Sequence, residues 1–540
     1  MMPLQSKPNS RVELRFRCNH LKNLDIVSKS DPQIFVSQKR GPGSFQFVDC
    51  TEKINNNLSP EFKKTIILDY YFEEIQKLTF TVMDIDKEIK LFGDLDKNDK
   101  IGEFTTSLSN ILSRPGRKII GDLIHHGKVT GNIEISAEEI NQTNHEIFLR
   151  AEGIDLDKKD LFSSDPYFKI YKTTPSGEQL LVFQSVVIKN TLNPIWPQLQ
   201  MKLEEFNGGD MFRELLIEVY DYDSIGAHDL IGITRTTTDA ILRGLIEYPL
   251  INPKKTSKSG YKNSGVLKFY EARLEKSHSF LDYLAGGCEI SLITAIDCTG
   301  SNGSVNATSG LHYNNVAFGG SAYSRSIASV GSVLSSYDSD GFIDVYGFGG
   351  EYRGSTSHCF PFSLDPNVPA AFGVAGVLEM YNNNISKIPF SGPTNFASII
   401  QESMNKATQG QTPYNQKYTV LLIITDGEIC DMDETIRNLV IASTMPISVV
   451  IVGVGSSSFE NMDLLDGDGG FLKDYKGNKA KRDIVQFVPF NKFSNSIDAL
   501  AQETLKEIPG QLLSYFKSVG IPPNPPRKYV PIVDILPPPQ

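Results

Sequence analysis

Apolar and charged residues alternate along residues 11–17. Val12, Leu14 and Phe16 fall on one face, and Arg11, Glu13, Arg15 and Arg17 on the other. A period of two predicts a half-buried strand. Residues 66–68, 78–83, 147–149, 181–188 and 215–220 are further short apolar or alternating runs, separated by clusters of Gly, Pro, Asn and Asp. Many short strands between turn signals predict β-sandwiches across residues 10–275.

The same region repeats itself. Asp31-Pro32 recurs as Asp165-Pro166, and Leu58-Ser59-Pro60-Glu61-Phe62 as Leu192-Asn193-Pro194-Ile195-Trp196. Asp84-Ile85-Asp86 recurs as Asp221-Tyr222-Asp223, and Asp99-Lys100-Ile101-Gly102 as Asp229-Leu230-Ile231-Gly232. Four matches in one order at a nearly constant offset predict two copies of one sandwich, over 10–138 and 143–275. The polar stretch 138–144 reads as a linker.

After residue 280 the period changes. Residues 289–296 form a continuous apolar strand that ends in Asp297, and 420–424 and 447–454 are buried strands of the same kind. Residues 395–407 have helical spacing at Phe396, Ile399, Ile400 and Met404, and 434–443 and 497–508 are also helical. Buried strands alternating with amphipathic helices predict βαβ units and a mostly parallel sheet. The segment 521–540 carries P-P-N-P-P and L-P-P-P and is expected to be a disordered or polyproline tail.

Composition narrows the function. A chain of 540 residues has room for about three or four domains. The net charge of −11 argues against a dedicated nucleic-acid binder. No apolar run approaches the ~18 residues needed to span a bilayer. The first residues lack the apolar core of a signal peptide and lack Gly at position 2, so neither a leader nor a myristoyl anchor is expected. The 6 cysteines include no C-x-x-C pair, which suggests reduced thiols in a cytosolic protein. Any membrane role is then peripheral.

Each repeat carries aspartates in two separated segments. The first offers Asp25 and Asp31, then Asp84, Asp86 and Asp99; the second offers Asp160 and Asp165, then Asp221, Asp223 and Asp229. A lone D-P or D-x-D is ordinary turn chemistry. The full set, placed twice in one order, gathers about five carboxylates at one end of a sandwich, and such a cluster repels itself unless cations fill it. Ca²⁺ takes six to eight hard oxygen ligands in flexible geometry, which suits these loops better than Mg²⁺ with its tight octahedron.

The pattern D-x5-D-P, L-N-P-x-W, D-x-D-x5-D-x-I-G resembles a C2 domain, which implies an antiparallel eight-stranded sandwich for each repeat. The second repeat has the regular spacing and is expected to be the more dependable calcium sensor. In the first, the loop from Asp86 to Asp99 is longer, so Asp94 and Asp96 are rival ligands; in the second, Asp157 is a rival to Asp160. The loop tips place apolar pairs beside the acids: Ile26 and Val27, Leu91 and Phe92, Leu161 and Phe162. Apolar tips flanking a cation site suit shallow insertion among anionic phospholipids. Lys254, Lys255, Lys258 and Lys262 form a basic run that could meet anionic headgroups or remain a solvated loop.

In the last region, D-C-T-G-S supplies Asp297, Thr299 and Ser301 at the carboxyl end of a buried strand, and Thr394 and Asp426 could join them. Two carboxylates and three hydroxyls favour Mg²⁺ or Mn²⁺ with several waters and one open position. The set resembles a von Willebrand factor A domain with its metal-ion-dependent adhesion site. The strings F-L-D-Y-L-A-G-G-C, A-I-D-C-T-G-S-N, G-P-T-N-F, L-L-I-I-T-D-G, L-L-D-G-D-G-G and R-D-I-V-Q-F-V-P-F are similar to those of the copine family. That resemblance implies two C2 domains followed by an α/β doubly wound A domain over 280–516. It implies calcium-dependent phospholipid binding by a cytoplasmic protein that moves to plasma or endosomal membranes and recruits intracellular proteins through the A domain. The rivals are a calcium-independent scaffold and a metal-dependent enzyme. No phosphate loop, G-x-G-x-x-G or G-x-S-x-G elbow is present, so no catalytic residue is assigned and no enzyme is expected.

Overall fold

The computed structural model describes residues 8–41, 43–86, 98–140, 145–159, 163–174, 177–224, 227–244, 247–338, 340–427, 429–467 and 471–529. The chain divides into two compact units, one of residues 1–140 with 280–540, the other of residues 141–279.

The alternation at residues 11–17 sits inside the strand Ser10–Asn19, where Val12, Leu14 and Phe16 are buried. Eight antiparallel strands follow the order Gln46–Cys50, Pro32–Lys39, Lys77–Asp84, Asp99–Ser107, Lys118–His125, Lys128–Glu139, Ser10–Asn19, Ile66–Tyr70. Among the described residues, only the pair Glu103 and Ile124 links its two halves of four, so the sheet folds on itself as a sandwich. The second copy has two separate antiparallel sheets of four strands. One is Gln179–Gln184, Pro166–Thr173, Glu214–Asp221, Asp229–Thr237; the other is Leu199–Lys202, His145–Ile154, Val266–Lys276, Glu247–Pro249. The run expected at 181–188 pairs only to Gln184; beyond it the hydroxyl of Ser185 accepts the Phe168 N–H at 2.9 Å, bracing the chain from outside the ladder.

The third region is an α/β sheet whose parallel strands run Phe342–Phe348, Glu289–Asp297, Lys417–Thr425, Ile447–Gly453, Val485–Pro489. Phe360–Pro361 and Ala370–Phe372 pair antiparallel with Phe342–Phe348 at one edge. Successive residues enter opposite cores. Val420, Leu422 and Ile424 pack on the face covered by the helices Ala322–Leu334, Ile497–Leu505 and Ile508–Ser518. Leu421 and Ile423 pack on the face covered by Ala397–Thr408 and Met432–Ala442. That is the doubly wound arrangement, and it explains why these strands read as unbroken apolar runs.

The first sandwich and the α/β region share one hydrophobic cluster. Phe72, fully buried, meets Phe280 edge-on with centroids 5.0 Å apart and Tyr337 at 4.9 Å. The hydroxyls of Tyr70 and Tyr337 lie 2.6 Å apart. Arg40 grips Glu74 through two 2.6 Å hydrogen bonds, and Gln502 donates to Glu74 at 3.0 Å.

The proline-rich end differs from the expected loose tail over residues 521–529. Tyr283 donates to the Ile521 carbonyl at 2.8 Å and Gln416 to the Pro522 carbonyl at 2.7 Å. The Arg527 N–H donates to the Ala285 carbonyl at 2.8 Å, and its carbonyl accepts from Gly116 of the first sandwich at 2.6 Å. Its guanidinium donates to the Ser113 carbonyl at 3.0 Å, and Lys118 sits 4.9 Å from the centroid of the Tyr529 ring. Prolines forbid a helix or a central strand, but an extended segment can still be held through its carbonyls. Residues 530–540 lie outside the described ones.

Two outcomes follow. Phe72→Ala should destabilise the unit of sandwich and α/β region by about 3–5 kcal/mol, the usual cost of truncating a buried aromatic, measured by denaturant unfolding. Trypsin should cleave after Arg527 slowly under native conditions, and Arg527→Ala should speed cleavage at Lys528; rapid cutting of the wild type would show that the segment is undocked.

Candidate functional site

In the first sandwich the strand Lys77–Asp84 delivers Asp84 to its end, with Pro32 and Asp99 as register partners on either side. Asp84 is 1% exposed; its Oδ1 accepts the Asp31 N–H at 2.6 Å, while its buried Oδ2 has no hydrogen-bond partner among the described residues. A buried acceptor left unpaired is costly, so this oxygen fits a ligand. The loop carrying Asp25 is braced from within. Asn23 donates to the carbonyls of Asp25 at 3.0 Å and Ser28 at 2.9 Å, and Ser28 donates to the Asp25 carboxylate at 2.6 Å.

Asp25, Asp84 and Asp86 thereby bring carboxylate oxygens within 4.8 Å of one another. Desolvation, then the negative charges of Asp25, Asp84, Asp99 and Asp31, hold the Asp86 carboxyl above the ordinary aspartate value. Three carboxylates this close together are the donor set a hard cation takes. Asp99 stands beside Asp84 in register but outside the trio. Asp31 contributes its backbone N–H; its carboxylate accepts the Asn56 N–H at 2.8 Å and the Lys53 ammonium at 3.0 Å. The tip residues Ile26 and Val27 are fully exposed. Leu91, Phe92, Asp94 and Asp96 lie outside the described residues.

The second sandwich repeats the scaffold. The Asp165 N–H donates to Asp221 at 2.5 Å, and the Asp165 carboxylate accepts the Asn190 N–H at 2.7 Å. Asp221, 1% exposed, faces Asp229 in register, and the Asp223 N–H donates to His228 Nδ1 at 3.0 Å. Asp157 is engaged elsewhere, with Lys255 2.5 Å from its carboxylate, so one lysine of the basic run points inward. The Lys159 N–H bonds to Ser164 Oγ at 3.0 Å as the Leu24 N–H bonds to Ser30 Oγ at 2.9 Å. Each of these residues stands one place before the first aspartate of its repeat, Asp160 or Asp25. Asp160, Leu161 and Phe162 lie outside the described residues. Among the described residues, the trio of carboxylates closes in the first sandwich, although the regular spacing belongs to the second.

In the α/β region the five expected residues converge at the carboxyl ends of two central strands. Asp297, fully buried at the end of Glu289–Asp297, accepts the Thr299 N–H at 2.8 Å and the Thr299 hydroxyl at 2.6 Å through Oδ1, and the Thr425 hydroxyl at 2.6 Å through Oδ2. Ser301 lies 3.0 Å from Thr299 and donates to Asp426 at 2.9 Å. A Cβ on Gly427 would stand 3.2 Å from Thr394 Oγ1 and 3.9 Å from Ser301 Oγ, so this glycine keeps the gap between them open. Thr394 is set by the Cys430 N–H on its carbonyl at 2.8 Å, just before a helix whose first N–H groups are capped by Asp431.

Burial pushes the Asp297 carboxyl up to about 6 against the pull of its hydroxyl donors, and burial also raises Asp426. Two buried carboxylates supported by neutral donors suit a small divalent cation.

Several supporting residues were not anticipated as such. Asn302 donates to Asp426 at 3.1 Å and is itself held by the Tyr323 hydroxyl at 2.6 Å. Buried His312, its ring pushed down to about 3 by desolvation, is neutral; Nε2 donates to the Asp297 carbonyl at 2.9 Å and Nδ1 accepts from Tyr381 at 2.8 Å. Asn302 and Thr425 adjoin the motifs in sequence. His312, Tyr323 and Tyr381 carry no local signal, because only tertiary folding brings them there.

The C2 domain model matches residues 12–121 and 148–248, and the copine model matches residues 310–524. Copine-C of Dictyostelium discoideum is 84% identical over 539 residues, covering 100% of both chains. Copine-B of the same organism is 58% identical over 516 residues, covering 94% of this chain and 96% of that protein. Among solved structures, the two calcium-bound C2 domains of Extended-Synaptotagmin 2 are 15% identical, covering 51% of this chain and 100% of that one, with a TM-score of 0.22. With two C2 domains ahead of a copine domain, and full-length relatives of this closeness, the chain belongs to the copine family.

Proposed function

We propose that the protein binds anionic phospholipid membranes when calcium rises, moving there from the cytoplasm, and recruits intracellular proteins through the metal site of its α/β domain. The observation that carries this reading is the trio of Asp25, Asp84 and Asp86, with one buried oxygen unpaired among the described residues and the fully exposed Ile26 and Val27 adjacent. Ca²⁺ held there reverses the local sign of the potential. It leaves coordination positions for lipid phosphate oxygens while Ile26 and Val27 enter the headgroup layer. In the second sandwich Asp165, Asp221, Asp223 and Asp229, with Asp160 outside the described residues, would serve the same end. In the α/β domain, Asp297, Thr299, Ser301, Thr394 and Asp426 would hold Mg²⁺ or Mn²⁺ and leave a position for a partner's carboxylate.

Liposome sedimentation across calcium concentrations tests the membrane half. Asp84→Asn with Asp86→Asn should remove most calcium-dependent binding and leave the fold intact, since each change keeps shape and removes repulsive charge. Ile26→Ser with Val27→Ser should keep calcium binding and weaken liposome affinity about tenfold or more, given roughly 1.5–3 kcal/mol for full burial of such a side chain. Undiminished sedimentation by the aspartate variant would reject the first sandwich as the sensor.

Asp297 tests the other half. Its folded carboxyl titrates at about 6, above the unfolded value of about 3.9, so its charge costs the metal-free fold nothing below about pH 4 and the full amount above pH 6. In chelator at pH 7, Asp297→Asn should therefore be as stable as wild type or more so. Added Mg²⁺ or Mn²⁺ should raise the wild-type Tm at pH 7, less so at pH 5, and leave the variant unchanged. The variant should still sediment with anionic liposomes in calcium but retain fewer cytosolic proteins there; an unchanged partner list would overturn metal-mediated recruitment.

A further inference from the structure

The first carboxylate cluster already holds a cation of its own. The Lys53 ammonium lies 3.0 Å from Asp31 Oδ2 and 3.3 Å from the carbonyl oxygen of Ile85. Ile85 stands between Asp84 and Asp86, so the ammonium sits over the same turn whose two carboxylates form the trio with Asp25. The other Asp31 oxygen accepts the Asn56 N–H. Asp31, one of the five aspartates that the sequence aims at this end, is thus occupied from both sides.

The second sandwich is built differently at the matching place. The Asp31 and Asn56 pair recurs as Asp165 and Asn190, and Thr51, which accepts the Ile34 N–H, recurs as Ser185, which accepts the Phe168 N–H. That register sets Val187 where the first sandwich has Lys53. Valine brings no charge, so the second cluster lacks this ammonium.

We propose that Lys53 is a tethered counter-ion that holds the Asp31 end of the first cluster, confines a divalent cation to the Asp25, Asp84 and Asp86 end, and weakens that cation's binding by like-charge repulsion. The inference rests on the calcium reading of the trio. The Lys53 side chain is 39% exposed and that of Asp31 21%, so the pair is screened and open to exchange rather than locked. Lys53 lowers the repulsion among Asp31, Asp84 and Asp86 in the metal-free protein and sets a higher calcium threshold for the first sandwich than its carboxylates alone would give. The second sandwich, with Val187 at that place, lacks this contribution to its calcium threshold.

Calorimetric titration of the full chain with CaCl₂, beside thermal unfolding in EDTA and in saturating calcium, tests this. Lys53→Met keeps the aliphatic stem and should tighten the first-sandwich site by roughly tenfold, the order expected for removing one like charge at a partly exposed site. It should lower the Tm in EDTA but not in calcium. Lys53→Arg, which retains the charge, should titrate close to wild type. Asp84→Asn should lose the site. If Asp84→Asn loses a site while Lys53→Met titrates as wild type, the counter-ion role is wrong and the calcium reading survives. An equal loss of Tm by Lys53→Met in EDTA and in calcium would reduce Lys53 to a structural residue and likewise overturn the role. If Asp84→Asn titrates as wild type, the calcium reading itself fails, and this inference falls with it.

Discussion

Negative charge gathered at strand ends is the constraint around which this molecule is arranged. Both sandwiches and the α/β sheet bring carboxylates to a sheet edge, and desolvation there raises the carboxyls of Asp86, Asp297 and Asp426. Each fold relieves this differently. The first sandwich inserts a lysine ammonium beside Asp31. The second pairs Asp157 with Lys255. In the α/β sheet the described donors to Asp297 and Asp426 are neutral hydroxyl, amide and backbone groups.

The backbone makes this possible. In both sandwiches an aspartate at a strand end accepts the N–H of the residue just before a proline-led neighbouring strand, Asp84 from Asp31 and Asp221 from Asp165. One carboxylate oxygen is thereby fixed by the fold, and in Asp84 the other is presented to the loop space. The α/β site uses the same economy: Thr299 supplies both its N–H and its hydroxyl to one oxygen of Asp297. Carboxylate orientation is thus set by main-chain geometry.

The repeat, the strands and the principal acids were legible in the sequence because their signals are local: alternation, an aspartate ending an apolar run, and the same order twice. What stayed hidden depends on distant partners. Lys53 and Lys255 look like any surface lysine until folding sets each against an aspartate. The helix Ala322–Leu334 buries Tyr323, Ile327, Val330 and Leu334, and its small Ser329 is buried too, its hydroxyl donating to the Ile497 carbonyl at 2.6 Å. The single helix expected over 497–508 ends at Leu505, and Pro509 sits in the first turn of a second, Ile508–Ser518, a place where its missing N–H does no harm. Among the described residues the trio closes in the first sandwich, while Asp160 of the second lies outside them.

The contacts between Gly116 and Arg527, and between Ser113 and Arg527, join residues more than four hundred positions apart. During synthesis the first sandwich emerges with Phe72 uncovered until Phe280 and Tyr337 have been made, more than two hundred residues later. A chain growing at about 5–20 residues per second leaves that surface bare for tens of seconds. Premature termination before residue 280 thus yields a first sandwich that is complete yet adhesive, whereas a chain stopped near residue 520 loses only the clasp of Arg527 on Gly116, Ser113 and Ala285.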